Sequence, residues 1–103
     1  MFDNPVFETE REVKWCLTAD DEGVLYVDGV KNIHVAVDGA CSGAFKYKNG
    51  DRVNILIEGM QYQGGVKMVF TYQYKDGTEW KEVADPQAVQ IDANYQSNQL
   101  KIV

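Results

Sequence analysis

Residues 67–77 read KMVFTYQYKDG. Met68, Phe70, Tyr72 and Tyr74 alternate with Lys67, Val69, Thr71, Gln73 and Lys75, and the run stops at Asp76-Gly77. A period of two places alternate side chains on opposite faces of an extended strand, and Asp-Gly supplies the positive φ angles of a tight hairpin. The segment therefore predicts a strand with one buried face that turns back on itself. Its stripe of Met and aromatic residues reads as core, with the Tyr72 and Tyr74 hydroxyls able to reach the surface.

The same pattern extends outward in both directions. VKWCLT sets Val13, Trp15 and Leu17 against Lys14, Cys16 and Thr18, and NIHVAVD sets Ile33, Val35 and Val37 against Asn32, His34, Ala36 and Asp38. RVNILIE offers Val53, Ile55 and Ile57, with Leu56 as the exception, and the tail QLKIV points Leu100 and Ile102 inward. Asp28-Gly29, Asp38-Gly39, Asn49-Gly50 and Gly64-Gly65 mark further turns. Residues 84–97, ADPQAVQIDANYQS, come closest to a helical pattern, but Val89 and Ile91 fit a short strand better. The expectation is an all-β, two-sheet antiparallel sandwich, because facing sheets bury one side of many short strands. Met1 to about Thr9 carry Asn4-Pro5 and acidic Glu8, so this segment is expected to bury little and to be partly flexible.

The chain has 103 residues, enough for one small domain. Its net charge of −6 argues against nucleic acid and anionic membranes, which need a basic footprint. No apolar run reaches the roughly 18 residues of a membrane span, so membrane insertion is not expected. MFDNPVFETE lacks the basic start and apolar stretch of a signal peptide, which leaves an intracellular protein or a processed one. Cys16 and Cys41 with the single His34 do not make a four-ligand zinc site. They are either two thiols or a disulfide whose loop of about 25 residues would stabilise by roughly 3 kcal/mol.

Several of these elements together carry a resemblance. Thr18-Ala19-Asp20-Asp21 leads into Leu25-Tyr26-Val27-Asp28-Gly29, then Gly50-Asp51-Arg52-Val53-Asn54-Ile55, then Gly64-Gly65. Over roughly residues 15 to 80 this resembles the jelly-roll sandwiches of the galactose-binding-domain-like superfamily and the PA14 lectin-like domains. The resemblance implies a jelly-roll form of the sandwich and a carbohydrate or glycoconjugate as ligand. It also implies a calcium ion held by Asp20 and Asp21, since calcium takes six to eight oxygens and paired carboxylates supply the charged part of that shell. The facing loop, EGMQYQGG, offers Gln61 and Gln63, while Glu58 falls on the preceding strand. Without calcium the same Asp20–Asp21 turn is a solvated turn whose carboxylates cap backbone N–H groups.

A metal-free sugar site needs an aromatic platform and planar polar groups. Tyr62, flanked by Gln61 and Gln63, and Trp80 are the loop aromatics that supply one, or that pack over an end of the sandwich. His34 reads as a surface residue. Catalysis is not expected: no base is fixed beside Cys41, which falls in the apparent loop GACSGAF, and Asp20 and Asp21 share one turn rather than facing across a cleft.

The sequence thus predicts a non-enzymatic carbohydrate-binding module or small lectin, outside the cell or on its surface. Its site would lie at the loop end, and weak sites would gain avidity through a homo-oligomer. The alternative is a structural protein, capsid-, fibre- or matrix-like, that binds other chains through strand edges.

Overall fold

The computed structural model describes residues 3–19, 22–60, 68–83, 89–91 and 99–102. These form ten strands and no helix: β1 (Asp3–Phe7), β2 (Arg11–Ala19), β3 (Glu22–Val27), β4 (Val30–Ala36), β5 (Gly39–Tyr47), β6 (Ile55–Met60), β7 (Met68–Asp76), β8 (Glu79–Glu82), β9 (Val89–Ile91) and β10 (Gln99–Ile102). One antiparallel sheet runs β5-β2-β7-β8, with β9 also on β7, and a second runs β4-β3-β6. β1 and β10 pair in parallel.

The alternation read from the sequence fills the space between the sheets. Val13, Trp15 and Leu17 of β2 and Phe70 and Tyr72 of β7 come from one sheet; Leu25, Val27, Ile33, Val35 and Ile55 come from the other. Val53, between β5 and β6, joins the same cluster. Trp15 is fully buried at its centre, stacked on Phe70 at 5.6 Å and meeting Phe7 at 6.0 Å and Tyr72 at 6.3 Å. Its indole N–H donates to Tyr47 Oη at 3.3 Å, so the polar atom of the largest core residue is satisfied. The side chains of Leu100 and Ile102 lie outside the described residues.

Four expectations need correction. The N-terminal segment buries more than expected: Pro5 and Phe7 are among the fully buried side chains. Backbone bonds from Phe7 N–H to Asp51 O, Gly50 N–H to Phe7 O and Val53 N–H to Pro5 O strap β1 to the 50–53 segment. Cys41 is in strand β5 rather than a loop, directly opposite Cys16. The two form a disulfide with Cα atoms 4.1 Å apart. Val37 is not core. It is 75% exposed in the turn after β4, with φ of 58°, a conformation that costs a β-branched residue about 1–2 kcal/mol. Gly39 was expected to take that role beside Asp38 but already belongs to β5, where a Cβ would come within 2.6 Å of Thr18 Oγ1.

Elsewhere Asp28, Gly29, Gly50 and Gly77 all have positive φ, as their turn dipeptides led one to expect, while Gly64-Gly65 lies outside the described residues. Asp28 also locks its turn to the chain before β6. Its N–H donates to Asn54 O at 2.8 Å, and its Oδ1 accepts from Asn54 N–H at 2.9 Å.

Burial raises the Tyr47 phenol above its ordinary pKa near 10; the Trp15 hydrogen bond lowers it, and the Asp28 and Asp51 carboxylates raise it again. A group with a raised folded pKa contributes stability that is fully present below the unfolded pKa and lost as pH climbs through the folded one. Tyr47→Phe should therefore flatten the loss of stability as pH rises above about 10. At neutral pH it should cost about 1–3 kcal/mol, because the Trp15 N–H loses its acceptor. Urea denaturation across that pH range checks both effects.

Candidate functional site

The expected site residues fall in two places. Asp20, Asp21, Gln61, Tyr62 and Gln63 lie outside the described residues, but the strand ends flanking them are defined. Ala19 pairs with Met68, and Glu22 pairs with both Met60 and Ala36. The ends that bound residues 20–21 and 61–67 therefore sit at one end of the two sheets. The β4–β5 turn adjoins them, tied by Ala19 N–H donating to Asp38 O at 3.0 Å. Asp38 is a carboxylate of this end that the sequence reading passed over. Among the described residues no three His, Cys, Asp or Glu side chains gather as a metal site.

Trp80 is elsewhere. It pairs with Lys75, seven positions along β7 from Met68, which at about 3.3 Å per residue places it roughly 23 Å from that end. It lies in strand β8, on the outer face of the larger sheet, and the structure does not bring it beside the loop end.

What surrounds Trp80 is a second polar constellation. Lys14 Nζ sits 4.4 Å from the ring centroid and Lys75 Nζ 5.9 Å. Lys75 also reaches Glu12 at 3.7 Å, and Gln73 donates to Glu82 Oε1 at 3.5 Å. These contacts follow from register. Lys14 pairs with Gln73, which pairs with Glu82, so residues from β2, β7 and β8 point the same way, out from the core.

Beyond Gln73 and Glu82 the face dips into a groove of about 390 Å³. The Cys16–Cys41 disulfide, Thr18, Val69, Thr71 and Val83 line it. The groove arises because β7 is paired twice along one edge, with β8 through 73–76 and with β9 through 68–70. Thr71 lies between those two pairings. Its hydroxyl is buried and has no hydrogen-bond partner among the described residues.

The opposite wall depends on a bulge in β5. Ser42 and Gly43 together face Trp15, and the Trp15 backbone N–H donates to Ser42 Oγ at 3.0 Å, which in turn donates to Gly43 O at 2.8 Å. That irregularity keeps Cys41 opposite Cys16 on the groove side. Sequence alternation showed that Lys14, Thr71, Gln73 and Cys16 point away from the core. It did not show that they converge with Trp80 and Glu82.

His34 is exposed, as expected, but has a carboxylate partner: Nε2 lies 2.7 Å from Glu22 Oε1, diagonally across the β3–β4 pair. Asp76 and Lys81 pair at 2.7 Å at the β7–β8 hairpin, fully in solvent, where their hydrogen bond lowers the Asp76 pKa and raises that of Lys81. None of these four residues lines the groove.

No protein-family model, curated protein or solved structure matches this chain.

The orphan hydroxyl yields a direct test. Replacing Thr71 by isosteric valine removes an unsatisfied buried polar atom, and valine suits a strand. Thr71→Val should raise the unfolding free energy by about 1 kcal/mol in urea denaturation. A loss of that size would show that the hydroxyl has a partner in the folded protein.

Proposed function

We propose that this chain is a carbohydrate-binding module or small lectin, a binding domain rather than an enzyme, and that the outer face of the larger sheet is part of its recognition surface. The observation that carries this reading is that Trp80, with Lys14 over its ring, stands beside Gln73 and Glu82 where these two line one end of an open groove. Sugars are bound by an aromatic ring against their C–H face and by polar side chains that exchange hydrogen bonds with their hydroxyls. Gln, Glu and Lys together supply donors and acceptors of that kind.

Lys14 over the Trp80 ring does not oppose this. A cation–π contact at an exposed site contributes only about 0.5–1 kcal/mol, small enough for a stacked sugar to displace the ammonium onto its hydroxyls. The openness of the groove favours binding over chemistry, which calls for a site that excludes water.

The remaining elements of the reading belong to the same proposal. Calcium at Asp20 and Asp21 would add charge to the loop end, where Asp38 stands in the adjoining turn. The jelly-roll form of the sandwich goes with the family resemblance. A disulfide in so small a domain favours an extracellular or cell-surface setting. The acidic chain is unsuited to nucleic acid. Assembly through strand edges, as in a capsid, fibre or matrix subunit, is the second reading. It is favoured by Leu56, 51% exposed on β6, an edge strand of the smaller sheet.

A glycan array probed with calcium and again with a chelator tests the proposal. Binding to at least one glycan is expected, weakened at least tenfold by Trp80→Ala with the fold intact by circular dichroism. If calcium takes part, Asp21→Ala should abolish only the chelator-sensitive portion. A blank array together with a stable oligomer in sedimentation would favour assembly instead.

A further inference from the structure

The groove has a direction, and that direction restricts what it holds. Its lining descends β7 from Gln73 through Thr71 to Val69 and β2 from Cys16 to Thr18, while Trp80 stands beyond Gln73 at the level of Lys75. From Lys75 to Val69 is six strand positions, roughly 20 Å at about 3.3 Å each. That is the length of a short oligosaccharide and several times the width of one ring.

Beyond Val69 and Thr18 come Met68 and Ala19, the strand ends that bound residues 20–21 and 61–67. Trp80 and these strand ends are therefore not two parts of one pocket. They stand at opposite ends of a single channel.

Charge along the channel selects among polymers. Lys14 and Lys75 are matched by Glu12 and Glu82, with Lys75 paired to Glu12 and Gln73 bonded to Glu82. The far end is bounded by Gly39, next to Asp38 of the β4–β5 turn, in a chain of net charge −6. A polyanionic chain would approach Asp38 there without a surplus of cations to offset it, and a polycation would meet Lys14 and Lys75 at the other end. An uncharged polyhydroxyl chain meets neither penalty, because each hydroxyl both donates and accepts.

Resting on the carbohydrate-binding reading above, we infer that the ligand is a linear, uncharged glycan laid lengthwise along β2 and β7. Its one end stacks on Trp80, and its other end lies over Thr18 toward the β4–β5 turn. The disulfide forms part of the floor, so the cross-link that joins β5 to β2 also shapes the channel.

Calorimetric titration of the intact protein with β-1,4-linked oligomers of glucose, xylose and mannose, each from one to six units long, tests this. At least one series should gain tenfold or more in affinity between the monosaccharide and the tetrasaccharide, then level off. Trp80→Ala and Thr18→Arg, at the two ends of the channel, should each remove most of that gain. Thr18 is exposed, so the arginine can be accommodated while blocking the path. Melting temperature and near-ultraviolet circular dichroism report whether the fold is intact.

If an array detects a terminal sugar and no series depends on length, the lengthwise channel is wrong while the lectin reading stands. Tighter binding of uronate polymers than of neutral ones would likewise overturn the channel as described. If the array and every series are blank, the carbohydrate reading fails with it.

Discussion

The molecule depends on how Trp15 is held in β2. Its ring is fully buried among Phe7, Phe70, Tyr72 and Tyr47, and its indole N–H is satisfied by the Tyr47 hydroxyl. Its backbone N–H is satisfied by Ser42 across the β5 bulge. One residue thus fixes the core inward and the register of an edge strand sideways. The next residue, Cys16, points to the other face and is joined to Cys41. If the bulge were absent, β5 would slip by one residue against the outer half of β2, and Cys41 would turn away from Cys16. The groove wall is therefore a consequence of the same arrangement that satisfies the core tryptophan.

Much of this architecture could be read from the chain. Val13, Trp15, Leu17, Phe70 and Tyr72 alternate with polar residues, and all five are buried. Asp28-Gly29 and Asp76-Gly77 turn where such dipeptides lower the cost of positive φ. β5 was not legible. GACSGAFKY has small residues where strands usually carry β-branched ones, and it is extended because β2 and a disulfide hold it there. β1 was missed for a related reason. Asn4-Pro5 reads as a loop, yet Pro5 and Phe7 are held against the core by backbone bonds to a segment more than forty positions away.

The candidate site was legible only in pieces. Trp80 was singled out as an aromatic, but its neighbours Lys14, Gln73 and Glu82 come from three strands whose adjacency is set by sheet order, and local patterning carries no information about that order. Alternation assigns a side chain to the outer face. Only pairing register decides which outer residues stand together. The loop end is the reverse case: its carboxylates and glutamines were conspicuous in the sequence, and the defined strand ends place their flanks at one end of the sheets.

The central claim is that the outer face of the β5-β2-β7-β8 sheet is where this protein meets a glycan. Nitrogen-15 labelled protein titrated in turn with the β-1,4-linked tetrasaccharides of glucose, xylose and mannose tests it most directly by two-dimensional NMR. Progressive shifts at the Trp80 indole N–H and at the amides of Lys14, Thr71 and Gln73 are expected with at least one of the three. Shifts confined to the other sheet, around Val24, Tyr26 and Leu56, or no shifts with any of them, would contradict it.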